Sequence, residues 1–294
     1  MAKFSSPTAS PRGQRRGTIH GEPALGWKGP LMDEAALAAR LPVGSLGVRW
    51  AFHASVASTQ DLARQAAERG APHGQLVIAD WQSAGRGRGG KRWHTPPGKA
   101  LAFSVVLRPV QGDRQAPLRW NVAPALALCD ALQALSLEAQ IKWPNDVLLG
   151  GRKCAGVLLE VVWHQDRPHY GVLGVGLNVL HGAEPAPGAL DFPATCVEEQ
   201  LGRPPDRLDL LVAVLRSLDA WLAPQDAGNL IAAWEARLAY LGEQVEVNLG
   251  GSILSGRLAG LDAGGRLKIV EASGRVQLLD HGEASLRPAQ QAGG

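Results

Sequence analysis

Apolar positions recur at two periods along this chain, and each change of period marks an element. "LMDEAALAARL", residues 31–41, has the spacing of one short helix ahead of Pro42. "STQDLARQAAERG", residues 58–70, predicts a second helix, with Ser58 and Asp61 forming a capping box and Gly70 as its stop. "QLVIADWQ" (75–82) and "KALAFSVVLRP" (99–109) read as strands on either side of a glycine-rich segment. Helical spacing of Val122, Leu126, Cys129 and Leu132 or Leu135 predicts a long helix over 120–137, with Pro124 in its first turn. "AQIKWPNDVLLGGRKCAGVLLEVVW" (139–163) predicts three strands broken at Pro144–Asp146 and Gly150-Gly151. "HYGVLGVGLNVL" (169–180) adds another strand, and helices follow at 207–223 and 227–241. Beyond 242 the runs shorten to four or five strands joined by glycine turns, most economically a closed barrel. The pattern predicts an α/β (α+β) fold: a mixed sheet flanked by helices over 31–242 and a small β-barrel over 243–288, with tails at 1–30 and 289–294.

Composition narrows this picture. The 294 residues are 45% apolar, enough for a core, and the formal charge of +3 is too even for a protein that coats nucleic acid over its whole surface. Any positive patch must be local. No apolar run approaches the ~18 residues of a membrane span. Cys129, Cys154 and Cys196 show neither a pairing pattern nor metal spacing, which points to a reducing, cytoplasmic setting and to no metal site. The first 21 residues, with no acid before Glu22, have the composition of a disordered tail. One short helix before residue 50 is too little for a helix-turn-helix DNA reader.

Candidate chemistry begins with "QSAGRGRGGKRWHTP", residues 82–96, which holds four glycines and four cationic side chains. It lies between strands, whereas the Rossmann and phosphate-loop fingerprints need a helix directly after their glycines. Gly85, Gly87, Gly89 and Gly90 would let backbone approach a ligand closely. Arg86, Arg88, Lys91 and Arg92 supply phosphate donors, and Trp93 offers a face for stacking. The competing reading is an Arg-Gly tract for nucleic acid, although such tracts normally recur in low-complexity sequence. Lys142, Asn145, Asp146 and Lys153 are spaced so that two ammonium groups and a carboxylate can meet at one sheet end; an ordinary turn with snorkelling lysines has the same pattern. Gly174 and Gly176 share a strand face that ends at Asn178, marking either a ligand against backbone or a tight sheet crossing. His94 beside Trp93 reads as incidental. With no Ser-His-Asp order, His cluster or carboxylate pair, the inventory favours phosphate chemistry driven by positioning and charge.

"STQ", "QSAGRGRGGKRW", "KWPND", "GRKCAGVLLE" and "GVGLNV", in this order, with "GEASLRP" near the end, resemble the biotin protein ligases over about residues 50–288. The resemblance implies a two-step reaction. Biotin's carboxylate attacks the α-phosphate of ATP, which brings Mg²⁺ with it; biotinoyl-AMP then passes its acyl group to a lysine of a biotin carboxyl carrier protein domain. Ser58, Thr59 and Gln82 resemble the family's contacts to the biotin ureido ring, and Gly85 and Arg86 the loop that closes on it. Arg88 resembles the lid arginine, Trp93 the aromatic wall, and Lys153 the lysine bridging biotin carboxylate and α-phosphate. Lys142, Asn145 and Asn178 resemble adenylate contacts; Asp146 resembles the carboxylate that receives the acceptor lysine. Gly156, Gly174 and Gly176 resemble backbone beside biotin, and Arg287 an arginine that reaches ATP. Gln60 and Gly89 depart from the family, which usually has Asn and often Arg there. The resemblance is to the monofunctional class without a DNA-binding domain, as monomer or homodimer. A lipoate ligase is the nearest rival, and a nucleic-acid-binding regulator the rival from another class.

Overall fold

The computed structural model describes residues 32–185, 192–250, 252–280 and 285–288, so the tails expected at 1–30 and 289–294 lie outside the described residues. Two sheets organise the chain. The larger has seven strands in the order β1-β2-β3-β7-β6-β5-β4: β1 (Trp50–Val56), β2 (Leu76–Gln82), β3 (Ala100–Leu107), β4 (Ala139–Lys142), β5 (Asp146–Leu149), β6 (Arg152–His164) and β7 (Arg167–Asn178). Only β1 and β2 run parallel among these neighbours. Gly150 and Gly151, at φ of 53° and 71°, make the two-residue β5–β6 turn that side chains with a Cβ would resist.

Strand β3 is buried at every position because both sheet faces are covered. On one face, α2 (Thr59–Glu68) sets Ala63 and Ala67 beside Val106 and Val172. On the other lie α3 (Ala116–Gln133), α5 (Arg207–Leu222) and α6 (Ala227–Glu235), packed on the main core. Two short helices, α1 (Glu34–Ala38) and α4 (Val197–Leu201), are the remaining α-helices among the described residues.

Several boundaries differ from the sequence expectations. Helix α3 starts four residues early, so Pro117, not Pro124, occupies its first turn; Pro124 lies inside the helix. Its ring costs one backbone hydrogen bond there, which burial of Trp120, Val122, Leu126 and Cys129 outweighs. Helix α6 stops at Glu235, because β4 takes the next backbone groups: Ile141 N–H donates to the Arg237 carbonyl (2.7 Å) and Ala239 N–H to that of Ile141 (2.9 Å). Strand β1 was not anticipated, since "WAFHASV" at the sheet edge is nowhere fully buried and so shows no clean alternation.

The smaller sheet is antiparallel, ordered β11-β10-β9-β8-β12 from β8 (Gln244–Asn248), β9 (Ile253–Leu261), β10 (Leu267–Val270), β11 (Val276–Leu279) and β12 (Ser285–Pro288). Its edges β11 and β12 do not pair among the described residues, so the expected barrel is an open sheet. Val245, Val247, Leu258 and Ile269 join the main core with Trp234 of α6, and Trp143 Nε1 donates to the Gly265 carbonyl at 3.1 Å. This docking brings β8 and β12 to the cavity described next.

Candidate functional site

A cavity of about 490 Å³ opens on the α2 side of the large sheet. Its floor is glycine. Gly156 of β6 faces Gly176 of β7, and Gly174 faces Ser104 of β3. A Cβ on Gly176 would lie 2.2 Å from Trp93 Nε1, and one on Gly174 2.5 Å from Gln60 Oε1. These glycines therefore let side chains of the loop and of α2 rest directly on the strands.

An uncharged polar cradle surrounds that floor. The backbone N–H of Thr59 donates to Gln82 Oε1 (2.8 Å), whose amide donates to Thr95 Oγ1 (3.1 Å). The Thr59 and Ser104 hydroxyls are 2.9 Å apart, and Ser104 donates to Gln60 Oε1 at 3.1 Å. Gln60 Nε2 donates to the Val172 carbonyl (2.9 Å) and to Glu160 (3.0 Å). The expected capping box is absent. Ser58 sits at the N-cap of α2 without a side-chain capping bond, and Asp61 pairs with Arg86 at 3.0 Å instead. Ser58 Oγ is buried with no hydrogen-bond partner, as is Trp93 Nε1. Leaving such a group unsatisfied costs about 1–3 kcal/mol, and both residues line the cavity.

The other end is charged. Lys153 Nζ lies 2.6 Å from Asp146 Oδ1, with Lys142 Nζ 3.9 Å from the same carboxylate, so the predicted convergence of two ammonium groups on one acid is present. Register produces it: Lys142 faces Asp146 across β4 and β5, while β6 brings Lys153 up from the other side. Lys142 is only 6% exposed, and burial pushes its pKa down despite Asp146. Its ammonium stands 4.7 Å over the Phe192 ring, and that of Lys153 is 5.4 Å from the Trp93 ring.

The Gly-Arg loop closes over both ends. Arg86 donates to Asp61 (3.0 Å) and forks onto Glu160 (3.0 and 2.5 Å), and the Glu160 hydrogen bond pushes its pKa up. Arg88 donates to Asn145 Oδ1 at 3.0 Å, and burial pushes its pKa down. Asn145 in turn donates to the Val157 carbonyl, clipping the loop to β6. Gly89 and Gly90 have φ of 60° and 75°, the left-handed region that glycine tolerates without strain.

Every site residue expected from sequence lines this cavity except Gly85, which is buried beneath the loop and accepts from Trp93 N–H at 2.9 Å. Arg92 lines it but also donates to the Ser83 carbonyl, bracing the loop base. Asn178 donates to the Thr195 carbonyl at 3.0 Å. Sequence reasoning missed Ser104, Phe192 and Asn248 in the wall. Ser104 had a signal: it is the one polar residue within the apolar strand Ala100–Leu107. Phe192 and Asn248 had none, because only the tertiary fold carries them there.

Comparison with known proteins follows the same division of the chain. Residues 52–178 match the Biotin/lipoate A/B protein ligase family, and residues 240–287 match the Biotin protein ligase C terminal domain. A biotin–[acetyl-CoA-carboxylase] ligase of Mycobacterium tuberculosis is 36% identical over 232 residues, covering 76% of this chain and 83% of that protein. The bifunctional ligase/repressor BirA of Bacillus subtilis is 32% identical over 184 residues; the match covers 63% of this chain and 57% of that protein, less than two thirds of its length. Among solved structures, the biotin protein ligase from Aquifex aeolicus in complex with biotin and ATP superposes with a TM-score of 0.70 at 29% identity, over 82% of this chain and 100% of that one.

Proposed function

The chain belongs to the biotin protein ligase family, and we propose that it activates biotin with ATP and transfers the biotinoyl group to a lysine of a carboxylase carrier domain. The carrying observation is the polarity split of one cavity. Among the described residues, an uncharged cradle with two unpartnered buried polar atoms meets a wall of seven cationic side chains and a single carboxylate, Asp146. The cradle suits a small molecule that both donates and accepts hydrogen bonds, as the ureido ring does; the cations suit a carboxylate and a triphosphate brought together.

In the first step a biotin carboxylate oxygen bonds to the α-phosphorus, and the bond to the bridging oxygen breaks, releasing pyrophosphate. Lys153 is the group placed to hold both anions, and Arg88 and Lys142 flank it. Asp146, the only acid lining the cavity among the described residues, is already paired to lysines. Mg²⁺ would arrive with ATP and take its oxygens from the triphosphate and water, where it would offset the phosphate charge beside Lys153. Once Lys153 turns to the bound anions, Asp146 is free to receive an incoming ammonium. The acceptor amine, after losing a proton, attacks the acyl carbon, and AMP leaves. The Gly-Arg loop shields the mixed anhydride from water meanwhile. Three free, buried cysteines support a cytoplasmic setting, and no helix among the described residues is long and apolar enough to cross a membrane.

The test is ATP–pyrophosphate exchange by the purified chain with biotin, with lipoate or with no added acid. Exchange that requires biotin is expected; exchange with lipoate alone would overturn the substrate, and exchange with neither acid would overturn the activity.

A further inference from the structure

Behind the charged end of the cavity lies a second constellation that the proposed reaction does not use. His181, Glu184 and Cys196 each offer one ligand atom, and these atoms all lie within 4.8 Å of one another. The spacing, His-x₂-Glu and then Cys twelve residues on, resembles no familiar metal motif, and the fold alone assembles it. His181 and Glu184 follow the end of β7, and Cys196 is the N-cap of α4. Local bonds set the geometry. His181 N–H donates to Glu198 of α4 (2.9 Å), and Ala183 N–H turns back to the Leu180 carbonyl (2.9 Å).

We infer that His181, Glu184 and Cys196 form a binding site for a thiophilic divalent cation of the Zn²⁺ class. An imidazole nitrogen, a carboxylate oxygen and a sulfur are ligands that Zn²⁺ accepts together, with a fourth position left for water. Tetrahedral bonds of about 2.0–2.3 Å put ligand atoms roughly 3.3–3.8 Å apart. The Cys196 sulfur and His181 Nδ1 already stand at 3.9 Å, so small side-chain rotations close the set. A second observation points into the same spot. Glu184 Oε2 is buried in a part-exposed side chain and meets no donor beyond the neighbouring Cys196 thiol, and a weak S–H donor compensates a carboxylate's desolvation less than a cation would. The fully buried Cys196 sulfur and the Glu184 carboxylate thus face each other beside the His181 ring.

The three side chains are not among those lining the catalytic cavity, but their neighbour Pro185 lines it and Thr195 ties them to its wall. Thr195, next to Cys196, donates its N–H to the Lys153 carbonyl (2.9 Å) and accepts from Asn178 (3.0 Å). A bound cation would tie the end of β7 to the start of α4 and so brace the backbone behind Lys153 and Asn178. The inference stands whether or not biotin is the substrate.

The test uses the full chain, stripped with chelator and titrated with Zn²⁺ against a chromogenic competitor, then with Co²⁺ to read a thiolate-to-cobalt charge-transfer band. One equivalent per chain, that band, and a Zn²⁺-dependent rise in thermal midpoint are expected. His181→Ala changes an exposed side chain and should leave the fold intact; it and Cys196→Ser should each weaken binding about 100-fold or more. Absence of saturable binding, or binding unchanged in His181→Ala, overturns the site.

Discussion

Lys153 and Lys142 share a carboxylate but differ in cost. Lys153 is part-exposed and 2.6 Å from Asp146, whereas Lys142 is buried and its pKa is pushed down by desolvation. Removing the first should remove chemistry: Lys153→Ala is expected to slow biotin-dependent pyrophosphate exchange about 10²–10³-fold, as loss of one transition-state donor does, with far-UV circular dichroism unchanged. Exchange at the parent rate would take Lys153 out of the reaction. Removing the second should trade function for stability. Lys142→Met leaves Asp146 still compensated by Lys153, so the thermal midpoint should rise by about 2–4 °C while KM for ATP rises roughly tenfold. A lower midpoint would mean that Lys142 earns more from Asp146 and Phe192 than burial takes away. Lys142, Asp146 and Lys153 were legible in the sequence because two short hairpins fix where their side chains meet. Glu160 was not, nor were the bonds that tie Gln60 to it and to Ser104, because pairing between distant strands leaves no local pattern.

Strands legible in the sequence were those bounded by glycine or proline turns. The hairpins from β4 to β7 were placed to within a few residues, whereas α3 ran through a proline that local rules put at its start. The Gly-Arg loop shows what an element gains from its surroundings. Its arginines are held by Asp61, Glu160 and Asn145, and Trp93 lies on the glycine floor of β6 and β7. Gly176 tests that arrangement selectively, since its φ is not in the left-handed region and β7 can accept alanine there. Gly176→Ala puts a Cβ 2.2 Å from Trp93 Nε1, so the indole and its loop must move. The expected result is a thermal midpoint within a few degrees of the parent and a KM for biotin raised about tenfold or more. An unchanged KM would show that the floor of β7 lies away from the substrate.

At the scale of the whole molecule, the sequence carries a formal charge of only +3, yet among the described residues seven cationic side chains and one carboxylate line a single cavity. Composition could exclude a uniformly basic surface but could not locate this concentration, which arises because the Gly-Arg loop folds over the ends of β4 and β6, with Arg287 added by the small sheet. Periodicity likewise revealed the short strands beyond residue 242 without their closure, which depends on whether β11 and β12 pair. The small sheet is anchored through Trp143 to Gly265 and through Glu235 to the N–H of Leu261 (2.6 Å), and it presents Asn248 and Arg287 to the cavity. If it serves the nucleotide end alone, Arg287→Ala should raise KM for ATP about tenfold, leave the biotin dissociation constant unchanged, and flatten the rise of KM for ATP with added salt. Steady-state exchange at two ionic strengths, with biotin binding by calorimetry, separates the cases. An equal loss for both substrates would mean that the C-terminal sheet acts on the site through packing, with Arg287 no more than one of its exposed charges.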